Sequence, residues 1–143
     1  MKTVLILCLL TVQALYHAQN CPDPQTLSFW NNKPLKDLPQ NSDENIGTLY
    51  LEVKANQDLN GIERLTCIRK LKIEGALNSA FTSFPPSLSR LSSLEELEIR
   101  NLKGLNWMEV FKLLENLPKL KKLTIKFSGL TEIPETVILP ASL

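Results

Sequence analysis

Histidine is almost missing from this chain: of 143 residues only His17 carries an imidazole. Ser-His-Asp triads, Cys-His dyads and His-based zinc sites all need one near its ordinary pKa, so three large enzyme classes have little to build on. The 5 glycines are scattered, with no Gly-x-Gly-x-x-Gly spacing to cradle a phosphate, and no Cys-x-x-Cys pair marks a zinc site. Asn-x-Ser/Thr sequons are absent, so no face is shielded by N-glycans. Charge of either sign is not in excess: 16 Lys+Arg stand against 15 Asp+Glu, a net +1 without the basic surplus of a nucleic-acid binder. Long apolar runs are lacking too, and no segment approaches the roughly 18 residues of a membrane-spanning helix. What remains, 43% hydrophobic and 22% charged residues with 9 prolines, is the balance of one globular unit rather than a disordered or collagenous chain.

The N-terminus carries Lys2 and then Val4-Leu5-Ile6-Leu7-Cys8-Leu9-Leu10, an apolar core too short to span a bilayer. It reads as a secretory leader over residues 1–18, cleaved after Ala18, with Ala14 as the competing position. Cleavage after Ala18 takes away His17, Lys2 and Cys8, leaving a chain with 15 cationic and 15 acidic side chains and two thiols, Cys21 and Cys67. In an oxidising compartment an even pair suggests one disulfide between them; the bland reading is two free thiols, one of them buried.

One apolar spacing recurs four times: Ile46-x-x-Leu49-x-Leu51, Ile68-x-x-Leu71-x-Ile73, Leu94-x-x-Leu97-x-Ile99 and Leu120-x-x-Leu123-x-Ile125. Their first positions lie 22, 26 and 26 residues apart. The last two apolar positions of each copy alternate with polar ones, the period of a half-buried strand, so each copy predicts one short strand and the series predicts a coil. Between strands, Phe81, Phe84, Leu88 and Leu91 supply further core candidates. Val110, Leu114 and Leu117 fall on one helix face bounded by Pro118. Trp107 and Met108 read as the entry to that helix, and Phe29 and Trp30 as cover for the first coil.

These residues resemble the leucine-rich-repeat family from about Leu35 to Leu143. Leu120 to Ile125 followed by Gly129-Leu130 and Ile133-Pro134, and the run Phe84-Pro85-Pro86-Ser87-Leu88, look like its extracellular members. The resemblance implies an α/β solenoid of about four repeats over residues 46–143, with short parallel strands on a concave face and helical or irregular segments on the convex one. Cys21-Pro22 and Leu35-Lys36-Asp37-Leu38-Pro39 resemble an N-terminal cap, which would cover residues 19–45. One departure stands out. The family places Asn three residues beyond the last strand position, and here Lys54, Ala76, Leu102 and Ser128 occupy those places.

On such a face the polar strand residues form three columns: Thr48, Lys70, Glu96, Lys122; Tyr50, Lys72, Glu98, Thr124; and Glu52, Glu74, Arg100, Lys126. With strands about 4.8 Å apart, Lys70–Glu96–Lys122, Lys72–Glu98 and Glu74–Arg100 become cross-strand ion pairs. Exposed pairs of this kind serve register and solubility. The functional reading makes the same face a docking surface for an extracellular protein or peptide, through Tyr50, Lys72, Glu74, Glu98, Arg100, Lys122, Lys126 and Phe127. Self-neutralised columns argue against heparin or nucleic acid. Glu96 and Glu98, about 6.6 Å apart along one strand face, are the best candidate carboxylate pair for hydrolysis, but lysines beside them oppose the raised pKa a general acid needs. The expectation is therefore a secreted, cofactor-free, non-enzymatic binding module without a membrane anchor. Leu143 falls where a fifth strand would begin, which leaves Leu123, Ile125, Leu130, Ile133 and Val137 to be covered by further repeats or by a second chain.

Overall fold

The computed structural model describes residue 21 and residues 25–31, 34–38, 46–55 and 57–143; for 25–31 it describes the backbone alone. The leader read over residues 1–18 lies outside the described residues. Five strands form one sheet: β1 (Gln25–Asn31), β2 (Ile46–Val53), β3 (Lys70–Gly75), β4 (Glu96–Arg100) and β5 (Lys122–Lys126). Their spatial order is their chain order and every neighbouring pair is parallel. A parallel neighbour cannot be reached by a tight hairpin, so each connection crosses over and brings its own apolar residues to one side of the sheet.

The strands form where the spacing places them because alternate side chains enter the core. Leu49, Leu51, Leu71, Ile73, Leu97 and Ile99 are each 2% exposed or less. Burial of one such side chain stabilises by about 1.5–3 kcal/mol relative to leaving it in water. The first apolar residue of each later copy sits just before its strand, and Ile68, Leu94 and Leu120 are fully buried there. Backbone bonds carry the ladder one step further: Arg69 N donates to Gly47 O, Glu95 N to Arg69 O and Lys121 N to Glu95 O, each at 2.8 Å.

Among the described residues the crossovers hold 3₁₀ turns at Leu35–Asp37, Ile62–Arg64 and Pro86–Arg90 and one helix, α1 (Trp107–Leu114). Val110, Leu114 and Leu117 are buried as their spacing predicts, joined by Phe111 on the adjacent stripe. The helix ends before Pro118 comes into play. The chain tightens after Leu114, with Leu117 N donating to Leu114 O at 3.0 Å, and this turn carries Leu117 into the core. Strand and crossover residues together make one hydrophobic cluster that runs from Leu35 to Leu120.

Two findings concern the segment read as a cap. It contributes a strand, β1, that the spacing did not reveal. Adjacent Phe29 and Trp30 break any strict alternation, and the pairing of β1 with β2 slips twice, between Gln25 and Thr26 and between Leu27 and Trp30. The segment is also tied down covalently. Cys21 and Cys67 are bridged, with Cα atoms 5.5 Å apart. Closing a loop with a sequence separation of 46 stabilises by about 4 kcal/mol in the chain-entropy account.

Candidate functional site

The register brings the three columns together residue for residue. Thr48, Lys70, Glu96 and Lys122 are consecutive partners across β2 to β5, as are Tyr50, Lys72, Glu98 and Thr124, and Glu52, Glu74, Arg100 and Lys126. In the first column the expected chain of charges forms. Lys70 Nζ lies 2.9 Å from one oxygen of Glu96, and Lys122 Nζ lies 3.7 Å from the other. The hydrogen bond from Lys70 is the main reason the Glu96 carboxyl sits below its ordinary range, and the same bond raises Lys70. That direction is opposite to the one a general acid at neutral pH requires.

The other two columns pair differently from the sequence expectation. Lys72 turns along its own strand to Glu74, 3.1 Å away, instead of across to Glu98. Arg100 likewise takes Glu98 on its own strand, Nε to Oε1 at 2.7 Å, instead of Glu74. This second contact is an ion pair out of line for a hydrogen bond. Residues two apart on a strand share a face, so a long side chain reaches its i+2 neighbour as easily as the next strand. Lys72 gains a further contact there, with Nζ 5.7 Å from the centre of the Tyr50 ring. Glu74, released from Arg100, accepts from Asn101 Nδ2 at 3.1 Å. Of the eight residues read as a docking set, Tyr50, Lys72, Glu74, Glu98, Arg100, Lys122 and Lys126 therefore share one sheet face, and Phe127 stands just beyond the end of β5 with 76% of its surface exposed.

How the chain leaves each strand decides what flanks this face. After β4, Asn101 adopts a left-handed backbone (φ 54°), and the next residue, Leu102, turns fully into the core. After β5, Phe127 does the same (φ 55°), and Ser128 turns in, 2% exposed. Asn tolerates this conformation; for Phe it is strained by about 1–2 kcal/mol. Ser128 then bonds backbone groups of its own turn and of the preceding one. Its hydroxyl accepts from Leu102 N at 3.3 Å and donates to Lys126 O at 2.9 Å, while its carbonyl accepts from Trp107 Nε1 at 3.1 Å. After β3 the left-handed residue comes later, at Asn78 (φ 61°). Gly75 occupies the strand end instead, with the Asn101 backbone pressed against it so closely that a Cβ would collide.

The delayed turn leaves Leu77 94% exposed and opens a cavity of about 610 Å³ beside the ends of β2 and β3. Tyr50, Glu52, Lys72, Glu74, Leu77 and Lys103 line it. Sequence reading placed Glu52 in a column but missed Leu77, Asn78 and Lys103. The available signal was the glycine at position 75, where the other copies have Val53, Asn101 and Phe127. A second depression of about 80 Å³ lies on the strand face around Tyr50, Lys72, Glu96 and Glu98.

Among the described residues there is no cluster of His, Cys, Asp and Glu able to hold a metal ion, and no helix long and apolar enough to cross a membrane. No protein-family model, no curated protein and no solved structure matches the chain.

Proposed function

We propose that this chain is a secreted, non-enzymatic leucine-rich-repeat module that binds a protein or peptide partner through the outer face of its sheet. The observation that carries the reading is the unbroken parallel register from β2 to β5, which sets Tyr50, Lys72, Glu98, Arg100 and Lys126 into ordered columns on one rigid surface. The recurring apolar spacing, the bridge between Cys21 and Cys67 and the leader-like N-terminus support an extracellular setting. Charges matched within the face favour a partner of mixed charge over a polyanion. The reading rests on architecture, and architecture alone names no ligand.

The test reverses one charge at the centre of the face. Arg100→Glu sets three carboxylates together and is expected to weaken binding of a partner captured from extracellular fluid by at least about tenfold, while secretion and thermal unfolding stay unchanged. Unaltered affinity would place the binding surface elsewhere.

A second reading has its own observation. Leu123, Ile125, Leu130 and Val137 are only half-buried, and Ile133, Ile138 and Leu139 are exposed, so the side of the fold beyond β5 carries apolar surface. On this reading the chain is an assembly segment that docks there onto further repeats or onto a second copy, and it self-associates as concentration rises.

A further inference from the structure

The cavity at the ends of β2 and β3 has charges of opposite sign on its two sides. Glu52 stands on β2, and Lys103 follows β4 in the loop that closes the other side. Two strand spacings separate β2 from β4, on the order of 10 Å between the strands that lead to these two residues. The charges between them are already matched, since Lys72 pairs with Glu74 at 3.1 Å and Glu74 also holds Asn101. Glu52 and Lys103 have no ion pair or side-chain hydrogen bond among the described residues. Register places Glu52 directly beside Glu74, a like-charge neighbour that makes an incoming cation more favourable still. Beside these matched charges the lining between the two ends also offers apolar surface. Leu77 projects with 94% of its surface free, and the Tyr50 ring already holds one ammonium, that of Lys72, at 5.7 Å. The cavity's volume of about 610 Å³ is that of a small-ligand or peptide-anchor site.

From this arrangement we infer that the cavity is a peptide subsite: it takes an extended segment whose basic side chain meets Glu52, whose acidic side chain meets Lys103, and whose apolar residues between them cover Leu77. An arginine suits the Glu52 end better than a lysine, because a guanidinium binds a carboxylate through two parallel hydrogen bonds and also stacks on an aromatic ring. A segment in the extended polyproline-II conformation, with three residues per turn, sets residues three apart on one face and about 9 Å from each other, comparable to the two strand spacings between β2 and β4. Gly75 is part of the design, since any side chain there would push the Asn101 loop outward and reshape the wall next to Glu74.

This inference rests on the reading that partners dock on the strand side, and the experiment separates the two. The disulfide-bonded chain is titrated with acetyl-Arg-Leu-Leu-Glu-amide while backbone amide shifts are followed by NMR, and the titration is repeated with citrulline in place of arginine and with glutamine in place of glutamate. The expected shifts centre on Gly75, Leu77 and Asn78, and each neutral replacement weakens binding about fivefold. Glu52→Gln is expected to abolish the preference for arginine over citrulline while keeping that for glutamate over glutamine, and Lys103→Gln to do the reverse. Preferences that survive in their matching variants would overturn the subsite. Shifts confined to Lys122–Lys126 and Arg100 would also overturn it, while leaving the strand-face reading in place. No shift anywhere would also overturn the subsite, and the strand-face reading would then be decided by the Arg100→Glu experiment. The peptide comparison on the unaltered chain stands even if a variant fails to fold.

Discussion

β4 and β5 are written in nearly the same way, Glu96-Leu97-Glu98-Ile99-Arg100 and Lys122-Leu123-Thr124-Ile125-Lys126, yet they are buried very differently. Leu97 and Ile99 are 1% and 0% exposed, whereas Leu123 and Ile125 remain half-buried. Each strand points its apolar residues to the same side and sits in register with its predecessor. The difference lies in what flanks them. β4 has β3 on one side and β5 on the other, together with the crossover containing α1, while β5 has a strand on one side only. An apolar pattern therefore specifies a strand and its inward face, but the depth of burial is supplied by the next element.

The largest consequence is energetic. Ile99→Ala should destabilise the fold by about 4 kcal/mol and Ile125→Ala by about 1 kcal/mol, measured by denaturant unfolding of the disulfide-bonded chain. Equal losses would mean that the side beyond β5 is covered in solution. Self-association offers a more specific check on that cover. If a second copy supplies it, sedimentation should show a dimer that grows with concentration, and Ile133→Asp, at an exposed position, should abolish it with little change in monomer stability; a monomer at all concentrations would dismiss this form of the assembly reading.

The smallest effect contrasts the two flanks of Glu96. Its carboxyl is held below the ordinary range chiefly by Lys70, at 2.9 Å, and less by Lys122, at 3.7 Å. A depressed carboxyl pKa stabilises the folded state above the unfolded value, and that contribution is lost as pH falls through the folded one. For Lys70, whose pKa is raised, the contribution is present below its unfolded value and is lost as pH rises through the folded one. Lys70→Gln should therefore move the Glu96 titration upward more than Lys122→Gln, as read from the side-chain carboxyl signal in NMR. The stability advantage of the native chain over Glu96→Gln should be small at neutral pH and vanish once the carboxylates are protonated. Equal shifts from the two lysine variants would erase the distinction between the inner and outer neighbours of β4.

The same contrast explains what could be read from residues alone. Strands β2 to β5, their register and the inward-facing set were legible because a spacing that repeats four times ties each position to a face, and a slip of one residue would expose the whole apolar set. The partners of the charged side chains were not. Lys72 had Glu74, Glu98 and the Tyr50 ring within similar reach, and at an exposed site the differences among them are too small for spacing to decide. β1 escaped notice because its alternation is broken at Phe29-Trp30 and its pairing slips. The cavity escaped for a different reason: it arises from a turn delayed to Asn78 and from the close approach of Asn101 to Gly75, a contact between residues 26 apart that no local pattern encodes.

The position two residues beyond the last apolar strand residue of each copy is held by Val53, Gly75, Asn101 and Phe127, and it is used in three different ways. Val53 is buried, Gly75 yields its space to a neighbouring loop, and Asn101 and Phe127 turn the chain through a left-handed step. The copies are thus serially addressed rather than interchangeable. Duplicating or transplanting the β3 copy into the position of β4 would keep every apolar residue in register and still fail at the seam, because a segment with glycine at the strand end and its turn at the later asparagine fits only where the next loop leans in to meet it.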